Sequence, residues 1–205
     1  LRNARLDDAR KAYENALELY RKVDARLGEA NTLQGLGLLA LNSKDPAEAF
    51  RLFARALHLH VRVDNKLGQE AALGYAARAA MALAQTDRAL LLAGASLAKG
   101  LEIKDRYGQS INLQILLNLF QEANDGLGFA ASVVLYRDVA GQLDDVQQQS
   151  AMDELWQQLA SLLPVELMTA VRTDPQAALN QALANAHQRF GEHDPLELDT
   201  EHQGD

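Results

Sequence analysis

The chain has 205 residues, of which 48% are hydrophobic and only four are proline, and this composition favours helices over strands. It contains no cysteine, which excludes disulfides and thiolate metal sites and fits a cytoplasmic location. The formal net charge of −8 argues against nucleic acid as a partner, because neutralising phosphates requires a concentrated basic face, and no apolar run reaches the roughly 18 residues of a membrane span.

The first predicted element is a single amphipathic helix in residues 6–25, with Ala9, Tyr13, Ala16 and Leu17 at helical spacing. A lone helix of this length is marginal in water, so this apolar stripe needs cover from the next helices, from upstream sequence or from another copy. The sequence starts with leucine rather than methionine, which suggests a fragment of a longer array. We therefore assign residues 1–27 to a half-repeat and consider a homodimer through this N-terminal end.

Three near-copies of one helix opening follow at a constant spacing. Gly28, Gly68 and Gly108 are 40 residues apart, and columns of alanine (9, 49, 89) and leucine (17, 57, 97) keep the same period. A fixed period of this kind is typical of repeat architectures. At the three glycines we expect left-handed backbone, which helix C-termini favour. The predicted repeats cover residues 28–67, 68–107 and 108–142.

Each repeat is predicted to contain two helices. In the first repeat one helix covers about residues 29–42, and Asp45 is expected to cap the next one, with Pro46 at its first position. Gly37 lies where two helices cross closely, and Phe53 is expected to fill the gap between helix pairs. In the third repeat the second helix looks slipped in register.

This pattern resembles the tetratricopeptide repeat over roughly residues 6–140, although its period is longer than the usual 34 residues. It is similar to the repeats in sensor and scaffold regions of bacterial multidomain signalling proteins. The resemblance implies an all-α fold, a right-handed α-solenoid of antiparallel helix pairs. The residues that carry the motif best are Leu33, Leu36, Gly37, Ala49, Phe53, Ala56 and Leu57.

The C-terminal third departs from the repeat. Residues 143–190 contain one amphipathic stretch that ends at Pro164 and a second helix that Asp174 is expected to cap. A solenoid needs a terminal cap with a polar outer face, and we predict that these helices form it. Residues 191–205 contain six acidic residues and no Lys or Arg, so we expect a disordered tail.

No sequence motif indicates catalysis, since there is no glycine-rich phosphate loop, no HExxH and no nucleophile elbow. We therefore expect neither an enzyme nor a cofactor. His58 and His60 are two positions apart on a helix and point to different faces, which favours packing over metal binding. The acidic pairs at 7–8 and 144–145 are explained by helix starts, where negative charge favours the positive end of the dipole.

By the resemblance, the first helices of successive pairs line a concave groove that binds a protein or peptide. Asn118 matches a family column that often carries an asparagine able to bond a peptide backbone. Arg78 is the one cation in the set, which argues against a clamp for a C-terminal carboxylate. The predicted lining is Asn31, Gln34, Leu38, Leu41, Ala71, Gly74, Arg78, Met81, Ile111, Gln114, Asn118 and Gln121.

The predicted function is therefore a non-catalytic protein–protein interaction module, the sensor or scaffold part of a larger bacterial protein. The alternative is a self-assembly module of a structural or regulatory protein. Neither prediction identifies the partner.

Overall fold

The computed structural model describes residues 2–197, with side chains from residue 6 onward. Over that range the chain is all-α and contains no strand, which confirms the predicted fold class. None of the helices described is both long enough and apolar enough to cross a membrane. The helices are α1 (Arg2–Lys22), α2 (Arg26–Asn42), α3 (Pro46–Arg62), α4 (Lys66–Ala82), α5 (Thr86–Ile103), α6 (Arg106–Glu122), α7 (Gly126–Gln142), α8 (Val146–Leu162), α9 (Val165–Thr173) and α10 (Pro175–Phe190).

The helix starts repeat every 20 residues from α2 to α8. Each turn between them uses one non-glycine residue with a left-handed φ of 48 to 62°, at positions 24, 44, 64, 84, 104, 124 and 144. The next residue donates its N–H to the carbonyl five positions back at 2.9 to 3.0 Å, as Asp45 does to Ala40. This is the bond that closes a Schellman-type helix end.

The predicted location of the left-handed backbone was therefore wrong. Gly28, Gly68 and Gly108 lie in the first turns of α2, α4 and α6. They are small because another side chain approaches them closely. A Cβ at Gly28 would lie 2.5 Å from the ring of Tyr20, and His60 takes the same place against Gly68.

Helix caps follow the predicted chemistry at several turns. Asp45 caps α3 by accepting the Glu48 N–H at 3.0 Å, and Pro46 occupies the first position. Asp145 caps α8 in the same way, in agreement with the explanation given for the pair at 144–145. The pair at 7–8 lies inside α1 instead of at its start, because that helix begins at Arg2.

Phe53 is the predicted wedge between helix pairs, and the structure confirms its position. Its side chain is fully buried, and its Cε1 would lie 2.5 Å from a Cβ at Gly37. Its ring stacks on Tyr75 of α4 with 5.3 Å between centroids. The expected register slip in the third repeat was wrong, because α7 starts 40 residues after α5 and Val133 is buried in the column of Phe53.

The array has two faces. Besides the contacts between consecutive helices, α2 packs on α4 and α4 packs on α6. We call the surface of these three helices the inner face and that of α3, α5 and α7 the outer face. On the outer face, α10 packs against both α5 and α7.

The C-terminal segment returns to the outer face. A Cβ at Gly94 of α5 would lie 2.7 Å from Leu183 of α10, and Arg189 forms an ion pair with Asp87 at 2.7 Å. Part of the expected disordered tail also packs here, since the Glu197 carbonyl accepts a hydrogen bond from Arg88 at 2.7 Å. Residues 198–205 lie outside the described part, and the division into half-repeat, repeats and cap stays a prediction.

Candidate functional site

All twelve residues predicted to line the groove lie on α2, α4 and α6. Gln34 is already engaged, because its amide donates to the Gly68 carbonyl at 3.3 Å and links two repeats. Leu38, Leu41 and Met81 pack partly against the core. Their role in binding stays a prediction. The exposed members are Asn31, Arg78, Ile111, Gln114, Asn118 and Gln121, and the half-buried ones are Gln34, Leu38, Leu41, Ala71, Gly74 and Met81.

One pocket of about 310 Å³ opens on the inner face between α4 and α6, and we call it the α4–α6 pocket. Four of the twelve predicted residues line it: Ala71, Gly74, Arg78 and Ile111. The other eight lie on the same three helices outside it. The full lining is Leu67, Glu70, Ala71, Gly74, Tyr75, Arg78, Ser96, Asp105, Tyr107, Gly108, Ile111, Asn112 and Ile115.

Glu70 is the unexpected member of this pocket. Only 3% of it is exposed, and within the described residues no group donates a hydrogen bond to either carboxylate oxygen. Its polar neighbour is the carboxyl group of Asp105, to which its protonated form can hydrogen-bond. Burial and then the Asp105 charge raise the pKa of Glu70 to about 7.

The repeat explains how an acid fits at this position. The equivalent residues one period away are Ala30 and Ser110, which are small. On the facing helix, α5, Gly100 is the residue equivalent to Tyr20 and His60 in the earlier repeats. A Cβ at Gly100 would lie 2.5 Å from Glu70 Oε1, and the same carboxylate faces Gly108. The Glu70 carboxylate therefore occupies the space that a ring fills in the earlier repeats.

A second buried acceptor lies beside Glu70. Asn112 of α6 is 3% exposed, and its Oδ1 finds no donor in the described part of the chain. That oxygen would lie 3.2 Å from a Cβ at Gly74, so Asn112 depends on the glycine. Ser96 of α5 cannot serve Glu70 Oε1 or Oε2, since its hydroxyl donates to the Glu70 backbone carbonyl at 2.8 Å.

The rim of the pocket is apolar and open. Leu67, Tyr107 and Ile111 are 59%, 74% and 56% exposed. Arg78 lies at one end, two turns along α4 from Glu70. The pocket thus combines acceptor groups at depth, an apolar rim and one cation.

His60 and His58 have different surroundings. His60 is fully buried, its Nδ1 accepts from the Asn65 amide at 3.1 Å, and burial lowers its pKa. His58 is exposed. Over residues 2–197, no three His, Asp or Glu side chains come together in a group that could hold a metal ion.

Sequence reasoning missed Glu70, Asp105 and Asn112. Glu70 could have been found as the one acid in a column that otherwise holds Ala30 and Ser110, opposite a glycine that replaces a ring. Asn112 offers no such signal, because a polar residue on an amphipathic helix is most often at a solvated face.

A family model described as Tetratricopeptide repeat matches residues 1–60, which cover α1, α2 and nearly all of α3. Among curated proteins, none matches the chain.

Proposed function

Because residues 1–60 match the tetratricopeptide repeat family, we propose that the chain is a tetratricopeptide array and that it binds a segment of a partner protein along the inner face. Repeats of this family generally mediate protein–protein interaction, and the family typically forms non-catalytic modules. The finer proposal is that α2, α4 and α6 hold the segment. The observation that carries it is the α4–α6 pocket, which lies on this face between two repeats.

The composition of the inner face supports this proposal. Exposed Leu67, Tyr107 and Ile111 provide apolar area around the pocket, and exposed amides such as Asn118 provide hydrogen-bonding groups along it. Apolar surface with a few placed polar groups is what ligand sites usually contain. The outer face is partly occupied, because α10 covers α5 and α7.

To test this, peptides that bind the immobilised chain are first selected from a displayed peptide library. Arg78→Glu combined with Asn118→Ala should abolish binding of the selected peptides, measured by fluorescence anisotropy. Both residues are exposed, so the melting temperature should change little. The matched control is Arg55→Glu with Asn180→Ala, which makes the same changes on α3 and α10. If the control loses binding and the inner-face variant keeps it, the site lies on the outer face.

As a broader context we propose the sensor or scaffold part of a larger bacterial protein, acting in the cytoplasm. The support is the similarity of the 40-residue repeat to such regions and the lack of cysteine. Sequencing the gene and identifying any other domains it encodes would test this context directly. A catalytic or DNA-binding module in the same polypeptide is the expected result, and a gene that encodes the repeats alone would contradict it.

Self-association through α1 is the second candidate. Leu19 of α1 and Val23, just after the end of this helix, are 62% and 71% exposed, and α1 packs on α2. Adjacent exposed apolar side chains at a solenoid end favour association. Light scattering over a concentration series should show a dimer that Leu19→Glu with Val23→Lys abolishes. A monomer at every concentration would exclude this candidate.

A further inference from the structure

We infer that the α4–α6 pocket receives a lysine or arginine side chain of the bound segment, with its cationic head beside Glu70 and Asn112. The inference rests on the proposed function and adds the chemistry by which the partner is recognised.

The buried groups of the pocket lack donors. Neither oxygen of Glu70 nor the Oδ1 of Asn112 accepts a hydrogen bond from the described residues, and only 3% of each residue is exposed. Asp105 adds a further acceptor at the same end. Buried acceptors in native proteins nearly always have a donor from the protein or from ordered water, and a bound cationic side chain would supply such donors here. Lysine offers three N–H donors and arginine five, with no acceptor that would compete.

The charge of the site selects the same ligand. A carboxylate or phosphate would meet Glu70 and Asp105 and be repelled. A cation is attracted by both carboxylates. Arg78, the basic group of the pocket, lies eight residues along α4 from Glu70, which corresponds to roughly 12 Å. It therefore leaves the acidic end accessible to a second cation.

The rim suits the stem of such a side chain. Leu67, Tyr107 and Ile111 are largely exposed around the acidic end, and Tyr75 also lines the pocket. Long basic side chains bury their methylene groups along apolar surface while the head reaches a polar partner. A tyrosine face also attracts a cation. A neutral amide side chain could donate hydrogen bonds to the acids, but it would gain no attraction between charges and would cover less of the rim.

Packing alone does not account for the acid. The equivalent positions hold Ala30 and Ser110, and the space beside Gly28 is filled by the ring of Tyr20. An aromatic ring would fill the space at Gly108 without burying a charge. Burying a charge is unfavourable unless the charge is paired. A role in binding explains why an acidic residue, Glu70, occupies this position and why Gly100 leaves space for its carboxylate.

The experiment uses the whole chain and four pools of fluorescent nonapeptides with uncharged flanks. The central residue is fixed as arginine, lysine, citrulline or glutamate. We expect the arginine and lysine pools to bind about tenfold more tightly than the citrulline and glutamate pools, as hydrogen bonds to a charged group should provide. Glu70→Gln should remove that preference. Glu154→Gln on exposed α8, the matched control with the same loss of charge, should keep it.

Asp105→Asn is the second variant, in case Glu70→Gln fails to fold, and it should reduce the preference for a basic residue. Equal binding of the arginine and citrulline pools would overturn the inference, as would a preference that survives both variants. If all pools bind alike and the Arg78→Glu, Asn118→Ala variant binds none, the proposed function stands and this inference falls. If no pool binds the wild-type chain, both fall.

Discussion

Replacing Glu70 with glutamine should stabilise the fold above neutral pH, although it removes a charged group from the pocket. The pKa of this carboxyl rises from its ordinary 4.5 to about 7, first through burial and then through Asp105. At about 1.4 kcal/mol per pH unit, the rise corresponds to roughly 3 kcal/mol that ionisation takes from the folded state. Glutamine fills nearly the same volume and can donate to Asp105 without carrying a charge.

The sign of the pH dependence follows from the direction of the shift. Between about pH 4.5 and 7 the folded chain holds a proton on Glu70 that the unfolded chain has released. This group therefore lowers the free energy of unfolding as the pH rises through that window, and the loss remains above it. The charged groups that line the pocket with Glu70 are Asp105 and Arg78, and α5 contributes the uncharged Ser96.

Urea unfolding of the wild type and Glu70→Gln at pH 5 and pH 8 measures this effect. The variant's advantage should grow by roughly 2–3 kcal/mol between the two pH values. Glu154→Gln, an exposed control, should stay within about 0.5 kcal/mol of the wild type at both. A difference between variant and wild type that does not change with pH, or that grows towards pH 5, would refute the reasoning.

Three further predictions concern the fold. Phe53→Ala should lower the free energy of unfolding by roughly 3–5 kcal/mol in urea, because it empties the wedge between helix pairs, and a loss under about 1 kcal/mol would contradict its packing. Ala84→Gly should raise it by about 0.5–1 kcal/mol, because the left-handed backbone at this turn disfavours a Cβ, whereas the mid-helix control Ala98→Gly should lower it by about 1 kcal/mol. A stabilising Ala98→Gly would reject that argument. Gly94→Leu should displace Leu183 and increase hydrogen exchange in α10 while α2 stays protected, and unchanged exchange in α10 would show that the helix is held elsewhere.

The architecture could be predicted because the columns that define it contain few residue types. Gly28, Gly68 and Gly108 recur at a fixed period, since each pair of helices must pack on the next in the same way. The turns could not be placed correctly, because what they share is backbone conformation. Lys44 and Ala84 adopt it as well as Asp24 does, so residue type does not identify the left-handed position of each turn.

The acidic end of the pocket was missed for a different reason. Glu70 alone looks like one more charged residue on an amphipathic helix. Its neighbours are Gly100 on α5 and Asp105 at the start of α6, which are 30 and 35 residues away in sequence. The docking of α10 was missed for the same reason, because Gly94 and Leu183 are separated in sequence by about the length of two repeats.

The return of the C-terminal segment changes how the array should unfold and form. In a simple solenoid each repeat contacts only its neighbours, so the ends fray independently and folding can spread from any point. Here Arg189 pairs with Asp87 and Glu197 accepts from Arg88, at sequence separations of 102 and 109 residues. These contacts tie the middle of the array to its end as one cooperative unit, and leave α1 outside it. During synthesis the outer face of α5 and α7 stays uncovered until the last helix emerges, so that face is exposed to incorrect association for longest.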